Sequence, residues 1–324
     1  MIMGRIGWLK MNTMKIYLIL VVNMVIWGFN IPFVKIIVEH VPPVTATSFR
    51  ILIAAVTVFL ILGITRRVRL PHKNEWGYMI AGSLTSIVSH HFFLSVGLTQ
   101  TSAMNAGLIL GMGPLLTVLL SMLFFKKRPT LITALGFILG STGVSLTVLF
   151  GSGKLQGINL GDFEIFLSIF IQSFGFIIIN KASKTMDSVL LTAYMLLIAS
   201  IFLFVVSLRM EPTGLTTFFD GFSDVWVVFF LSAVLSTGLG QMIYNYAIGQ
   251  VGAATASIFL NLNTLFSVIG AALFLQETIK LAHFIGFILI VTGVIMGSGT
   301  LETLIRQRQK KKIESHQSVK ASNH

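Results

Sequence analysis

The sequence predicts an all-α, polytopic membrane protein with ten transmembrane helices in two inverted five-helix repeats. Three observations predict it. Of its 324 residues, 55% are hydrophobic and only 10% are charged, against about 25% charged in a soluble domain. The apolar residues fall in runs that match the roughly 20 residues a helix needs to cross a bilayer core. The stretch GFILGSTGV at 136–144 also returns 150 positions later as GFILIVTGV at 286–294, with seven of nine residues identical.

Taken in order, the runs define ten spans. Span 1 covers about 16–37. Arg5, Lys10 and Lys15 precede it, as in a signal peptide, but it is too long for a signal core. It also carries Asn23 and Asn30 and lacks a small-residue cleavage site before Lys35, so it reads as an uncleaved first helix. Span 2 (44–64) opens on prolines, and span 3 (76–97) holds SHHFF at 89–93. Span 4 (103–125) contains the helix-distorting Pro114. Span 5 (131–150) follows the basic turn FFKKRPT. Spans 6 (162–180) and 7 (188–208) come next, and span 8 (225–247) follows an acidic loop at 209–224. Spans 9 (253–275) and 10 (281–299) close the bundle, and 300–324 is a basic tail expected to be disordered. The tail run RQRQKKK reads as a topology determinant; an anionic-lipid patch is the alternative.

Ten spans put both termini on one side. Taking that side as cytoplasmic, 18 of the 23 Lys and Arg residues lie inside, which is the positive-inside pattern. Outside lie Lys35, Lys154, Arg209 and Lys280, and Arg50 falls within span 2. The +12 net charge is therefore membrane topology, and no nucleic-acid partner is expected. With no cysteine, disulfides and thiolate metal sites are excluded.

The repeat extends well beyond the nine-residue match. Residues 97–146 align without a gap on 247–296 with 16 identities, among them Gln100/Gln250, Ala106/Ala256 and Gly143/Gly293. Upstream, TSFRILIAA (47–55) lines up with TAYMLLIAS (192–200). The expected units are a first repeat at 1–150 and a second at 151–299. Five spans per copy force the second copy to sit inverted. Loop charges reverse accordingly: Lys127 aligns with Glu277, and the basic 65–75 loop corresponds to the acidic 209–224 loop. Inverted repeats meeting at a midplane site are a recurring transporter design.

Polar groups inside spans should face the bundle interior, and helical spacing sorts them. Asn23, Trp27 and Asn30 share a face of span 1. Ser83, Ser86 and His90 share one on span 3, and Ser168, Gln172 and Gly175 one on span 6. Thr237, Gln241, Tyr244 and Asn245 cluster on span 8; Ser257, Asn261 and Thr264 align on span 9, with Asn263 nearby, and span 4 adds Asn105. The small and hydroxyl residues read as interhelical packing. For the Asn, Gln and Tyr groups, a solute pathway and structural hydrogen bonding remain open alternatives. The candidate pathway set is Asn23, Trp27, Asn30, His90, Asn105, Gln172, Gln241, Tyr244, Asn245, Asn261 and Asn263. Spans 5 and 10 carry few amides and read as packing elements.

Adjacent histidines point about 100° apart on a helix, so His90 and His91 cannot both face one ligand squarely, and no acidic or Cys partner is near them in sequence. No metal site and no cofactor are expected. No Asp or Glu lies deep in a span, which favours facilitated movement or exchange unless a histidine relays protons. Arg50, some six residues into span 2, snorkels to the outer interface, makes a structural bond, or receives an anionic solute; the cost of burying a lone cation favours the first two. HExxH, GxSxG and P-loop patterns are missing, so no catalytic residue and no enzyme activity are expected.

WGFNIPFVK (27–35), FRILIAA (49–55), TSAMNAGLILGMGPLLTVLLSMLF (101–124) and the GFIL..TGV closing helices resemble the EamA family of the drug/metabolite transporter superfamily over roughly residues 15–299. The resemblance implies ten helices, two inverted repeats, a central cavity and export of small metabolites such as amino acids. This chain departs from it at Lys127, where the family usually has an acidic residue, and at Thr264, which aligns with Pro114. The expectation is a multi-pass transporter of the cytoplasmic membrane, with spans 1, 3, 4, 6, 8 and 9 walling the pathway. Its partners are a small-molecule solute and the lipid bilayer, and a homodimer is left open. The alternatives are a nucleotide-sugar or phosphate-ester exchanger, which needs several cavity cations, and a membrane-embedded enzyme or sensor.

Overall fold

The computed structural model describes residues 13–124, 130–151 and 159–297, and among them every regular element is helical. Ten helical segments follow one another. They are α1 (Thr13–His40), α2 (Pro43–Ile64), α3 (Trp76–Gln100), α4 (Ala103–Phe124) and α5 (Leu131–Phe150), then α6 (Leu160–Ala182), α7 (Ser188–Met210), α8 (Gly214–Val251), α9 (Ala253–Phe274) and α10 (Leu281–Gly297). The first nine are long and apolar enough to cross a membrane. The described part of α10 is apolar but shorter, about 25 Å at 1.5 Å per residue. The basic turn Lys126–Arg128, Lys154, the N-terminal Arg5 and Lys10, and the tail 300–324 lie outside the described residues.

One boundary differs from the sequence reading. The acidic stretch 209–224 is not a loop: the chain is helical from Gly214, and α8 runs for 38 residues. The reason lies in an apolar stripe that begins before the continuous apolar run. Phe218, Val225 and Phe229 are buried, and the Phe218 ring stacks on Phe49 of α2 at 5.0 Å. Asp220 and Asp224 occupy the exposed face of the same helix, as an amphipathic helix requires.

Two helices carry π-helical segments, Ser83–Ser89 in α3 and Leu231–Gly240 in α8. The 150-residue shift brings these two segments into near register, with Ser86 and Ser236 inside them. Such widened turns concentrate at functional sites. The helix α4 is interrupted at Gly111–Met112, just before Pro114, which lacks the N–H that would continue the ladder.

Cross-helix contacts fix the directions of neighbours. Thr45 at the start of α2 meets Glu211 at the end of α7, while Arg67 after α2 pairs with Asp187 before α7, so α2 and α7 run antiparallel. His90 of α3 and Thr101 just after it meet Ser168 and Asp162 of α6, again antiparallel. Asn23 and Trp27 of α1 meet Gly240 and Ser236 of α8 in the same sense. The repeated GFIL..TGV segments pack on each other. A Cβ on Gly143 would lie 2.7 Å from the Gly286 carbonyl oxygen, and one on Gly293 would lie 2.6 Å from that of Gly136. Only glycine permits backbones this close, and the crossed pairing makes α5 and α10 antiparallel.

Helix ends are tied across the bundle by charge. Glu211 accepts from the backbone N–H groups of Val44 and Thr45 at 2.9 and 2.7 Å and from the Thr45 hydroxyl at 2.6 Å. Glu277 accepts from Ala103 and Met104 at 2.8 and 3.0 Å. A carboxylate satisfies the free donors of a helix N-terminus and complements its dipole. Local geometry aims two of these tying groups. Arg66 and Gln276 take left-handed conformations, with φ of 52° and 54°, closing α2 and α9 as αL caps do. The next residue in each case, Arg67 or Glu277, then reaches the neighbouring helix.

Candidate functional site

Where α1, α3, α4, α6, α8 and α9 converge, they enclose a cavity of about 50 Å³. Its polar wall consists of Trp27 and Asn30 (α1), His90 and His91 (α3), Gln172 (α6), Ser236, Thr237 and Gln241 (α8) and Asn263 (α9). Ile31, Leu94, Leu110, Ile169 and Leu260 supply the apolar remainder. Cavities that accept small solutes combine a mostly apolar lining with a few convergent polar groups in this way.

Six of the eleven residues singled out from sequence line this cavity: Trp27, Asn30, His90, Gln172, Gln241 and Asn263. The other five do not. Asn23 donates to the Gly240 carbonyl at 3.2 Å, bonding α1 to α8 beside the cavity. Tyr244 is fully buried with its ring 4.9 Å from Trp27 and 5.1 Å from Phe176, and its hydroxyl has no partner among the described residues. Asn245 accepts from Gln241 at 3.1 Å and donates to the Thr192 hydroxyl at 2.9 Å, joining α8 to α7. Asn261 donates to the Ile258 carbonyl at 2.7 Å, where α9 is interrupted at Phe259. Asn105 lies in the first turn of α4, where its backbone N–H bonds to Ser102, far from the midspan groups.

The cavity wall is held by bonds to backbone as well as side chains. The Trp27 indole N–H donates to the Ser236 carbonyl at 2.8 Å, inside the π-helical turn of α8 that leaves this oxygen accessible. The His90 Nδ1 lies 2.7 Å from the Ser168 hydroxyl, which also donates to the His90 carbonyl at 2.9 Å. His91 turns the other way and meets Arg50 through Nδ1 at 3.2 Å. The two rings nonetheless stay in edge contact, with centroids 4.8 Å apart, and both edge the cavity. Three buried atoms of cavity-lining residues have no partner among the described residues: Asn30 Oδ1, His91 Nε2 and Asn263 Oδ1.

Arg50 does not snorkel. It is 1% exposed, and its guanidinium donates to Thr237 at 2.8 Å and Ser232 at 3.3 Å in the π-helical turn of α8, and to His91. Of the two favoured readings the structural bond holds, because the neighbouring helix offers hydroxyl acceptors within the bundle. Arg50 and His91 are the residues that the pathway set missed. The signal for the first was its position as the one charge deep in a span. The signal for the second was concealed, because periodicity assigned the polar face of α3 to His90 alone.

Outside the spans, the end of the bundle that carries Arg66, Arg67, Arg69 and Lys73 also carries Lys181 and Lys184, joined by the Arg67–Asp187 ion pair. Arg69 and Glu75 pair there at 2.5 Å. Hydrogen bonding to Arg69 holds the Glu75 carboxyl below its ordinary value, and the same bond raises the Arg69 guanidinium. Glu211 and Glu277 mark the opposite end.

A bundle of apolar helices converging on a small cavity with a few polar groups is the architecture of an integral membrane transporter. The chain belongs to the EamA-like transporter family, which matches residues 14–149 and again 159–298. It is 28% identical to the uncharacterized transporter YyaM of Bacillus subtilis, over 90% of this chain and 96% of that one. It is 25% identical to the uncharacterized transporter YvbV of the same organism, over 86% and 90% of the two chains. An uncharacterized transporter of Archaeoglobus fulgidus is 23% identical over 87% of this chain and 96% of its own. A solved crystal structure shares the fold with a TM-score of 0.63 at 18% identity, covering 90% of this chain and 97% of the other.

Proposed function

We propose that the protein exports amino acids or similar small metabolites across the cell membrane by alternating access. One observation carries this reading. The cavity lies where helices of both halves converge, and its lining holds buried polar atoms that have no partner among the described residues. Unpaired buried polar groups are costly, and native proteins retain few of them. A solute that pairs with them accounts for their placement.

The cavity of about 50 Å³ has room for roughly three to five waters, taking about 10–15 Å³ each. A metabolite needs more, so the helices must part to admit it, as alternating access demands. The pathway residues are Trp27, Asn30, His90, Gln172, Gln241 and Asn263, with Asn23, Tyr244 and Asn245 supporting them from α1 and α8. Asn105 and Asn261 complete the set towards the ends of α4 and α9.

Ten spans in two inverted repeats supply the framework, over 1–150 and 151–299. The antiparallel packing of α5 on α10 and of α2 on α7 supports inversion, as does the double match to one family. Both termini face the cytoplasm. The clustering of basic residues at the end where α2 and α6 finish supports that orientation.

The test is flux in proteoliposomes with a panel of radiolabelled amino acids and small metabolites. At least one solute is carried, and Asn30→Leu together with Gln172→Leu lowers its flux at least tenfold while the protein remains monodisperse. Absence of flux for the whole panel sinks the transport reading.

A further inference from the structure

Among the described residues, Arg50 is a cation without a counter-ion. The ion pairs among the described residues are Lys35–Glu39, Arg67–Asp187 and Arg69–Glu75, and none reaches it. Its partners are two hydroxyls and an imidazole, all neutral acceptors. Arginine stays charged wherever it is placed, and a buried charge is expensive unless something offsets it. Packing does not explain the choice of residue. The alignment of 47–55 with 192–200 puts Met195 at the place of Arg50 in the second half. Met195 lies against the other π-helical helix as Arg50 lies against α8: its carbonyl accepts from Ser83 at 2.9 Å, and its thioether packs beside Gly82. A methionine therefore fills the equivalent position, and the charge at Arg50 serves another purpose.

The geometry shows where that charge is directed. A guanidinium can only donate, so His91 Nδ1 must be the acceptor of the 3.2 Å bond. The ring is then neutral and carries its proton on Nε2. That Nε2 is buried and has no partner among the described residues, and His91, 6% exposed, lines the cavity. Donation from Arg50 into the ring polarises the Nε2–H and makes it a stronger donor, as linked hydrogen bonds do. Asn30 and Asn263 leave carbonyl oxygens unpartnered on the same cavity, where they can accept from a donor on the same solute.

We propose that the solute carries a carboxylate, which accepts from the His91 Nε2–H and is balanced through that ring by Arg50. This rests on the transport reading for its purpose but is tested by binding alone. One unpaired cation matches one negative charge, a carboxylate rather than a phosphate dianion. His91 is the binding residue, and Arg50 is a positioning residue that acts through it.

The test uses the full-length protein in detergent or nanodiscs and follows thermal stabilisation by matched probes. These are L-leucine, L-leucinamide and isoamylamine, with the corresponding phenylalanine series and phenyl phosphate. Free amino acids stabilise the wild type, whereas amides, amines and the phosphate do so at least tenfold more weakly. Arg50→Met and His91→Leu remove the preference for carboxylate over amide, an effect that general loosening of the pocket would not produce. His91→Gln restores part of it, since a glutamine can accept from Arg50 and still donate into the cavity, and glutamine is what the second half carries at the aligned position, Gln241. If Arg50→Met does not give monodisperse protein, the His91→Leu and His91→Gln pair decides. The proposal falls if amides bind the wild type as well as carboxylates do, if no amino acid binds, or if His91→Leu keeps the carboxylate preference. Flux measurements separate the two readings. Transport of amides or amines but not carboxylates overturns the carboxylate site and leaves transport standing. Carboxylate binding without flux of any probe does the reverse.

Discussion

Replacing Glu211 with alanine should loosen the joint between α2 and α7 without touching the cavity. The wild-type carboxylate accepts three hydrogen bonds, from the Val44 and Thr45 amides and the Thr45 hydroxyl, at 2.9, 2.7 and 2.6 Å. Water can replace part of them, because Glu211 is only partly buried. The loss is therefore set by the cost of an N-cap, about 0.5–2 kcal/mol, plus about 0.3–1 kcal/mol of helix-dipole interaction. The sum is about 1–3 kcal/mol. At roughly 2–4 °C per kcal/mol for a chain of a few hundred residues, the midpoint should fall by about 4–8 °C for a loss near 2 kcal/mol. Glu211→Gln keeps an acceptor oxygen but no charge and should lose about half as much. The assay is thermal unfolding of the detergent-solubilised protein at one fixed scan rate, because membrane proteins rarely unfold reversibly. Asp220→Asn, on the exposed face of α8, is the control and should stay within about 0.5 kcal/mol. A Glu211→Ala midpoint equal to that of the control would refute the cap as a stabilising joint.

Other expectations follow from the same geometry. Gly293→Ala places a Cβ 2.6 Å from backbone atoms of Gly136 and Gly140, which no rotamer can relieve, so it should cost about 1–3 kcal/mol by overpacking; Gly63→Ala, with open space around it, should be neutral or slightly stabilising, and the two midpoints compared side by side check this. Acidification should weaken the Arg69–Glu75 tie. Because the folded carboxyl sits below its ordinary 4.5, its contribution is complete above that pH and is lost as pH falls through the lower folded value; Glu75→Gln should flatten that part of the midpoint-versus-pH curve, and an unchanged curve would count against it. Trp27→Phe removes the 2.8 Å bond to the Ser236 carbonyl while keeping a ring against Tyr244, so solute flux should fall several-fold in the proteoliposome assay, and the midpoint should fall by a few degrees because the carbonyl loses its partner at a cost of about 1–3 kcal/mol.

Much of the fold was legible in the sequence because lipid enforces a simple rule. Every backbone polar group in the bilayer core must be satisfied within its own segment, so long apolar runs become helices, and their count follows from length. The misplaced start of α8 shows the limit of the rule: Gly214–Asp224 is amphipathic rather than apolar, and its helicity depends on Phe218 packing against Phe49. For the cavity, helical spacing collected Trp27, Asn30, Gln172 and Gln241 on inward faces, but it could not separate wall from support. Asn245 and Gln241 share one face of α8, and only the approach of Thr192 from α7 turns Asn245 away into a structural bond.

The sequence by itself determined the class of protein and the order of its helices, since these depend on local hydrophobicity along one chain. The tertiary structure decided what becomes of the lone charge. Hydropathy treats Arg50 as an expensive residue bound for the interface, because the cost of a buried cation is judged against lipid. In the folded protein its surroundings are the hydroxyls of Ser232 and Thr237 and the ring of His91, residues between 41 and 187 positions away in the chain. Partners that distant are brought together by packing alone, and no periodicity along α2 could have shown them.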